Sequence, residues 1–155
     1  MTAEVADLLR VLRERGETVA TAESLTAGMV CAELTGVSGA SEVVRGGLVV
    51  YATDLKTRLA GVDEALLAER GPVDPAVAGA LATGARERCG SDWGLGLTGV
   101  AGPSPQGGAP PGTVHFGFAG PRCVRVHSAL LEGDRHEVRA AAVRTAVEQF
   151  ARLLR

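Results

Sequence analysis

The chain is 155 residues long, 46% apolar and 22% charged, with a formal net charge of −2, which suits one domain built on a complete hydrophobic core. That balance leaves no basic footprint, and five aromatic residues offer few stacking platforms, so nucleic acid is not an expected partner. Cys31, Cys89 and Cys123 are odd in number and far apart, which argues for reduced, buried thiols rather than a disulfide framework; with no signal-like opening and no membrane-length apolar run, a cytoplasmic location without membrane contact is expected.

Val5, Leu8, Leu9 and Leu12 repeat at helical spacing and end near Gly16, predicting a first helix. Thr18 to Thr21 is a short β-branched run and reads as the first strand. It leads through Ala22-Glu23-Ser24 into a predicted helix from Leu25 to Leu34, stopped by Gly36. Arg45 to Ala52 reads as a second strand whose glycines leave room for another backbone or a ligand. Thr53 to Ala60 then begins a helical stretch, and Asp63 caps another. Asp74-Pro75 places an N-cap and a first-turn proline ahead of a helix from Ala76 to Cys89.

Trp93 to Leu97 is predicted as a strand with glycine at alternate positions, running into Thr98 to Pro103 and a Pro/Gly-rich loop up to Gly112. Thr113 to Ala119 and Cys123 to Leu130 alternate in polarity across a short turn, the pattern of a hairpin. Asp134 to Arg155 closes the chain as a helix. Helices and strands mingle without a repeat or a long linker, so residues 1–155 are expected to form one α/β domain. Its architecture is expected to be a three-layer α/β/α sandwich with a mixed parallel/antiparallel sheet. The small apolar helices suggest self-association as a homo-oligomer.

Lys56 is the only lysine, beside fifteen arginines. With no Ile and no Asn in the chain, compositional bias accounts for scarce lysine in general. A lysine whose neutral amine is needed is nevertheless the one that arginine cannot replace, because guanidinium stays charged near neutral pH. Ser24 stands at a strand-to-helix junction, where it is either an N-cap or a nucleophile beside free backbone N–H groups. A serine hydroxyl needs a base, and a buried lysine with a lowered pKa is an established one. Tyr51 and Lys56 lie just after the second strand, at the same end of the sheet as Ser24 if the two strands run parallel. Thr98 to Pro103 is either an ordinary glycine turn or a loop that brings N–H groups to a phosphate or carbonyl oxygen. Asp134 is expected to cap the last helix; Arg135, with Arg139 one turn later, is a candidate phosphate or carboxylate clamp. His115, His127 and His136 have no triad company and no metal spacing, so neither a metal nor another cofactor is expected.

In this order the chain resembles the CinA C-terminal-domain family, the bacterial nicotinamide-nucleotide amidases. The carriers are AESLTAG (Ala22 to Gly28), RGGLVVYATDLK (Arg45 to Lys56), TGVAGP (Thr98 to Pro103), PPGTV (Pro110 to Val114) and GDR (Gly133 to Arg135). The resemblance implies hydrolysis of nicotinamide mononucleotide to nicotinic acid mononucleotide and ammonia through an acyl-enzyme. Ser24 would be the nucleophile, Lys56 the base, and Tyr51 an orienting or proton-relaying group. Contacts to the nucleotide substrate would come from Thr26, Gly28, Arg45, Thr98, Gly99, Gly102 and Arg135, with the oxyanion held by N–H groups near Leu25 and Thr26 or from the Thr98–Gly102 loop. Two positions depart from the family pattern. Its usual T-G-G is Thr26-Ala27-Gly28 here, where a methyl is expected to crowd a tight backbone approach. The loop after Pro103 reads SPQGGAPPG, where many members carry an acidic D-G-G. Some members also carry a large N-terminal domain, which this sequence is read as lacking. Members are associated with competence and DNA damage, so two other readings stand beside the first. One is a non-catalytic nucleotide-binding or adaptor module; the other is an amidase for a different carboxamide.

Overall fold

The sheet explains where the small residues of this chain fall. The computed structural model describes residues 1–155 and contains five strands in the order β2-β1-β3-β4-β5. These are β1 (Val19–Glu23), β2 (Val44–Val49), β3 (Trp93–Gly99), β4 (Thr113–Ala119) and β5 (Val124–Leu130). The first three run parallel, with β1 between β2 and β3, and the hairpin β4–β5 continues the sheet antiparallel from β3. The sheet is mixed, as its sequence pattern implied.

Alternation along the strands divides the interior in two. Val19, Leu95, Leu97, Val114, Phe116 and Phe118 face a larger core closed by α1 (Thr2–Arg15), α2 (Met29–Thr35) and α6 (Arg135–Leu154). Ala20 and Ala22 face a smaller core with Val77, Leu81 and Ala85 of α5 (Pro75–Cys89) and with Val62 and Leu67 around α4 (Glu64–Arg70). The stripe Val5, Leu8, Leu9 and Leu12 is the buried face of α1, and Gly16 ends that helix in the left-handed conformation it alone adopts without strain. Helices thus cover both faces, and the three-layer α/β arrangement follows.

The glycines of β3 and β4 have a packing reason. A Cβ at Gly96 would lie 2.4 Å from the backbone oxygen of Ala78, and one at Gly117 would lie 2.0 Å from the same atom. α5 therefore rests on the sheet at a distance that only bare backbone permits. Its N-terminus is fixed by Asp74, whose carboxylate accepts from the Ala76 N–H, with Pro75 in the first turn.

Two local expectations are corrected. The helix expected from Leu25 begins at Met29, because Ala27 (φ 48°) and Gly28 (φ 96°) both adopt left-handed backbone and break the first turn. Residues 24–28 form a tight turn instead, closed by the Ala27 N–H donating to the Ser24 carbonyl at 3.1 Å. Cys31 and Cys89 are half-buried, but Cys123 is exposed rather than buried, in the turn before β5. No helix is long and apolar enough to cross a membrane.

Candidate active site

Parallel strands end together, and here the ends of β1, β2 and β3 deliver Ser24, Tyr51 and the Thr98–Gly102 segment to one edge of the sheet. The chain leaves β1 toward β2 on one side and occupies β3 on the other, so the edge above β1 and β3 is a switch point, where α/β sheets open a crevice for ligands. A cavity of about 470 Å³ lies there. Its walls come from Ser24 and Leu25 after β1, Tyr51, Thr53 and Lys56 around α3 (Thr53–Arg58), Pro72 and Val73 before α5, Thr98 to Gln106 at the end of β3 and beyond it, and Arg135 at the start of α6. Lys56 and Arg135 are its only charged lining residues, and no carboxylate lines it.

Lys56 is 1% exposed, on the inward face of α3. Its Nζ lies 2.9 Å from Ser24 Oγ, 2.8 Å from the Val50 carbonyl and 3.3 Å from the Tyr51 carbonyl. Burial lowers its pKa from 10.5 to about 8 because the desolvated ammonium is disfavoured. In the neutral amine the two carbonyls accept both N–H bonds, which leaves the lone pair facing the serine hydroxyl. The lone lysine and the candidate nucleophile are therefore a hydrogen-bonded pair.

Ser24 is not a helix cap. That duty falls to the preceding residue, Glu23, which is fully buried. One of its oxygens accepts from Thr26 Oγ1 (2.7 Å) and the Val30 N–H (2.8 Å), the other from Thr21 Oγ1 (3.0 Å) and the Cys31 N–H (3.0 Å). The Val30 and Cys31 N–H groups of α2 are thereby satisfied by Glu23 and that of Met29 by the Thr26 carbonyl, so none is left free for an anion. The free donors are in the turn instead. Neither Leu25 N–H nor Thr26 N–H has a protein acceptor, and the same holds for Ala101 and Gly102 across the cavity. Thr26 is fully buried, whereas Leu25 is among the residues that line the cavity.

The other expected site residues separate into two groups. Thr98, Gly99, Gly102 and Arg135 are brought to the cavity, each with a structural engagement of its own. Thr98 Oγ1 donates to the Pro72 carbonyl, tying β3 to the segment before α5. Gly99 passes close to β4, where a Cβ would lie 2.5 Å from the Thr113 oxygen. Arg135 donates to the Gly102 carbonyl at 2.8 Å and to Tyr51 Oη at 3.0 Å, bridging two walls. Tyr51 is 59% exposed, and its hydroxyl bonds Arg135 rather than Ser24 or Lys56, so it touches the pair only through its main-chain carbonyl.

Thr26, Gly28 and Arg45 do not line the cavity. Thr26 is held against Glu23, Gly28 is the left-handed residue before α2, and Arg45 sits at the opposite end of β2, donating to the Cys89 carbonyl at 2.9 Å. Sequence reasoning left two residues without a role. Glu23 was visible only as an acid between a strand and a serine, and Arg139 only as a cation one turn beyond Arg135. Arg139 Nε donates to the Leu25 carbonyl at 2.9 Å. No group of three His, Cys, Asp or Glu side chains is placed to hold a metal ion.

These features define an α/β domain with a buried serine–lysine pair at a switch point of its sheet. The chain belongs to the CinA family: the model of the CinA C-terminal domain matches residues 2–154. It is 47% identical over 147 residues to a CinA-like protein of Frankia casuarinae, covering 95% of this chain and 34% of that one. It is 43% identical over 150 residues to a CinA-like protein of Acidobacterium capsulatum, covering 95% and 36% respectively. The chain thus spans about a third of the length of these relatives. Among solved structures it is similar to the competence/damage-inducible protein CihA of Agrobacterium tumefaciens, with a TM-score of 0.94, 32% identity and coverage of 99% and 95%. It is also similar to a competence-damaged protein (CinA) superfamily protein of Klebsiella pneumoniae, with a TM-score of 0.95, 28% identity and coverage of 99% and 96%.

Proposed function

We propose that this domain hydrolyses the carboxamide of nicotinamide mononucleotide to nicotinic acid mononucleotide and ammonia. The observation that carries the reading is the 2.9 Å contact between the buried Lys56 amine and Ser24 Oγ, with no carboxylate lining the cavity. An ammonium held by a carboxylate would stay protonated; one held by two carbonyls in a desolvated site releases its proton near pH 8. Ser24 Oγ attacks the carboxamide carbon as its proton passes to Lys56. The carbonyl electron pair moves onto oxygen, where the Leu25 N–H and the Ala101 or Gly102 N–H are the available donors. Lys56 then returns the proton to the departing nitrogen, ammonia leaves, and Lys56 serves as base again for the water that cleaves the ester. The net positive lining supports a substrate bearing a phosphate.

Ammonia release from nicotinamide mononucleotide is the direct test, set beside free nicotinamide and the dinucleotide. The parent chain is expected to turn over the mononucleotide, Ser24→Ala to show none, and Lys56→Arg to lose at least about 10²-fold while remaining folded. A folded parent that releases no ammonia from any of the three refutes the reading. Lys56→Arg that retains full activity removes the lysine from the mechanism.

A further inference from the structure

We infer that Arg139 is a positioning residue for the nucleophile turn, fixing the peptide plane that follows Leu25 and so restricting the turn that presents the Leu25 N–H to the carbonyl oxygen that becomes negative in the reaction. The inference rests on the amidase reading above and assigns a residue that touches neither the cavity nor the serine–lysine pair. Leu25 is flanked by two peptide planes. In each, the carbonyl and the following N–H point in opposite directions, so fixing the oxygen fixes the donor. The Ser24 carbonyl accepts from the Ala27 N–H at 3.1 Å, and this sets the direction of the Leu25 N–H. The Leu25 carbonyl accepts from Arg139 Nε at 2.9 Å, and this sets the next plane, whose N–H is that of Thr26, so that Leu25 is held from its far side. These two contacts hold the peptide planes on either side of Leu25, whose own N–H has no protein acceptor.

The place of Arg139 argues against a general structural use. It lies in the second turn of α6, four residues after Arg135 and on the same face, near the end of the helix where the macrodipole disfavours a cation. No carboxylate lies within ion-pair distance of it, and Leu25 is its one hydrogen-bond acceptor. A half-buried arginine held without a counter-charge, on a main-chain carbonyl next to the nucleophile, fits the preorganisation of an oxyanion site. Arg135 ties down the opposite wall at the Gly102 carbonyl, in a plane that carries no N–H of its own because Pro103 follows. The first turns of α6 thus hold both walls from which oxyanion donors come.

The test compares Arg139→Met, which removes the donor, with Arg139→Lys, which restores a donor of similar reach, on the full chain. Arg139→Met is expected to lower kcat by about 10- to 100-fold, with KM within about twofold of the parent, and Arg139→Lys to recover most of the loss. A purely structural link predicts otherwise: losses that follow the drop in Tm, no split between kcat and KM, and no rescue. That result, or a kcat for Arg139→Met within about threefold of the parent, overturns the proposal. A second readout does not depend on the substrate: the rate at which a fluorophosphonate labels Ser24, followed by intact mass. There the Oγ–P bond forms, fluoride leaves and the serine proton passes to Lys56, while the phosphoryl oxygen occupies the oxyanion position. Arg139→Met is expected to label at least about tenfold more slowly than the parent; equal rates overturn the proposal. A parent that labels at Ser24 but releases no ammonia sinks the nucleotide-amidase reading alone and leaves the labelling rates to judge Arg139. A parent that neither labels nor turns over overturns both.

Discussion

Lys56 is charged in water and disfavoured as a cation where it sits, and both halves of that statement are measurable. Its pKa is lowered to about 8 by burial, and the base must be neutral to act. kcat/KM is therefore expected to rise with pH and level off above a midpoint of about 8; a flat profile from pH 6 to 9 would exclude Lys56 as the base. The same shift has a thermodynamic consequence of definite sign. Between about 8 and 10.5 the unfolded chain holds this proton more tightly than the folded one, so the folded state gains stability as pH rises through that window. Lys56→Met removes the effect. The stability of Lys56→Met minus that of the parent, from urea midpoints, is expected to fall by about 2–3 kcal/mol across the window. Composition drew attention to this lysine, and its place after the second strand, at the same end of the sheet as Ser24, gave it a role that arginine could not take. The partner contacts of Tyr51 and Thr26 were not legible in the same way. Tyr51 bonds an arginine of α6, far away in sequence, and Thr26 bonds Glu23, three residues back but turned inward only by the fold.

The elements follow from local signals wherever those signals are chemically definite. Asp74-Pro75, Asp134 with its capping box, and Gly16 mark helix ends where the structure has them. The largest displacement of a helix start, at α2, arises from a residue that breaks its own local rule. Ala27 holds φ at 48°, a conformation that costs a non-glycine residue roughly 1–2 kcal/mol, and the family pattern carries glycine at this position. Ala27→Gly is expected to stabilise the fold by up to about 1 kcal/mol, after the greater freedom of glycine in the unfolded chain is subtracted. Thermal denaturation checks it, and a lower Tm would show the turn to be unstrained. The opposite experiment belongs to α5. Gly96→Ala places a methyl 2.4 Å from the Ala78 oxygen and the Ala82 nitrogen, and neither backbone atom can yield without lifting the helix. A loss of about 1–3 kcal/mol is expected. KM should rise with it, because Pro72 and Val73, just ahead of α5, form a cavity wall. The alternate glycines of β3 were readable as a close approach, although the approaching helix was not.

At the scale of the whole molecule, the site lies at one end of the parallel strands and the single tryptophan at the other. Trp93 opens β3, donates its indole N–H to Glu17 at 2.9 Å and packs edge-on against Phe150 of α6 at 5.4 Å. Its emission is expected to report global unfolding with the same urea midpoint as far-UV circular dichroism and to stay unchanged when nucleotide binds. A shift on binding would mean that the two ends of the sheet are coupled. The class of fold was legible from interleaved helical and strand patterns, since such a chain must cover a sheet on both faces. The strand order was not, because parallel partners are chosen by crossovers and by helix packing rather than by any neighbouring residue.

A chain with one lysine has one side-chain amine to observe. Grown on lysine labelled with ¹⁵N at the ζ position, this protein would give a single Nζ resonance, already assigned. Its chemical shift, followed against pH, would trace the protonation of Lys56 itself, separate from turnover, substrate and every other titrating group. A midpoint of about 8 in the resting protein, displaced when Ser24 is acylated, would follow the base through its catalytic cycle without a single substitution.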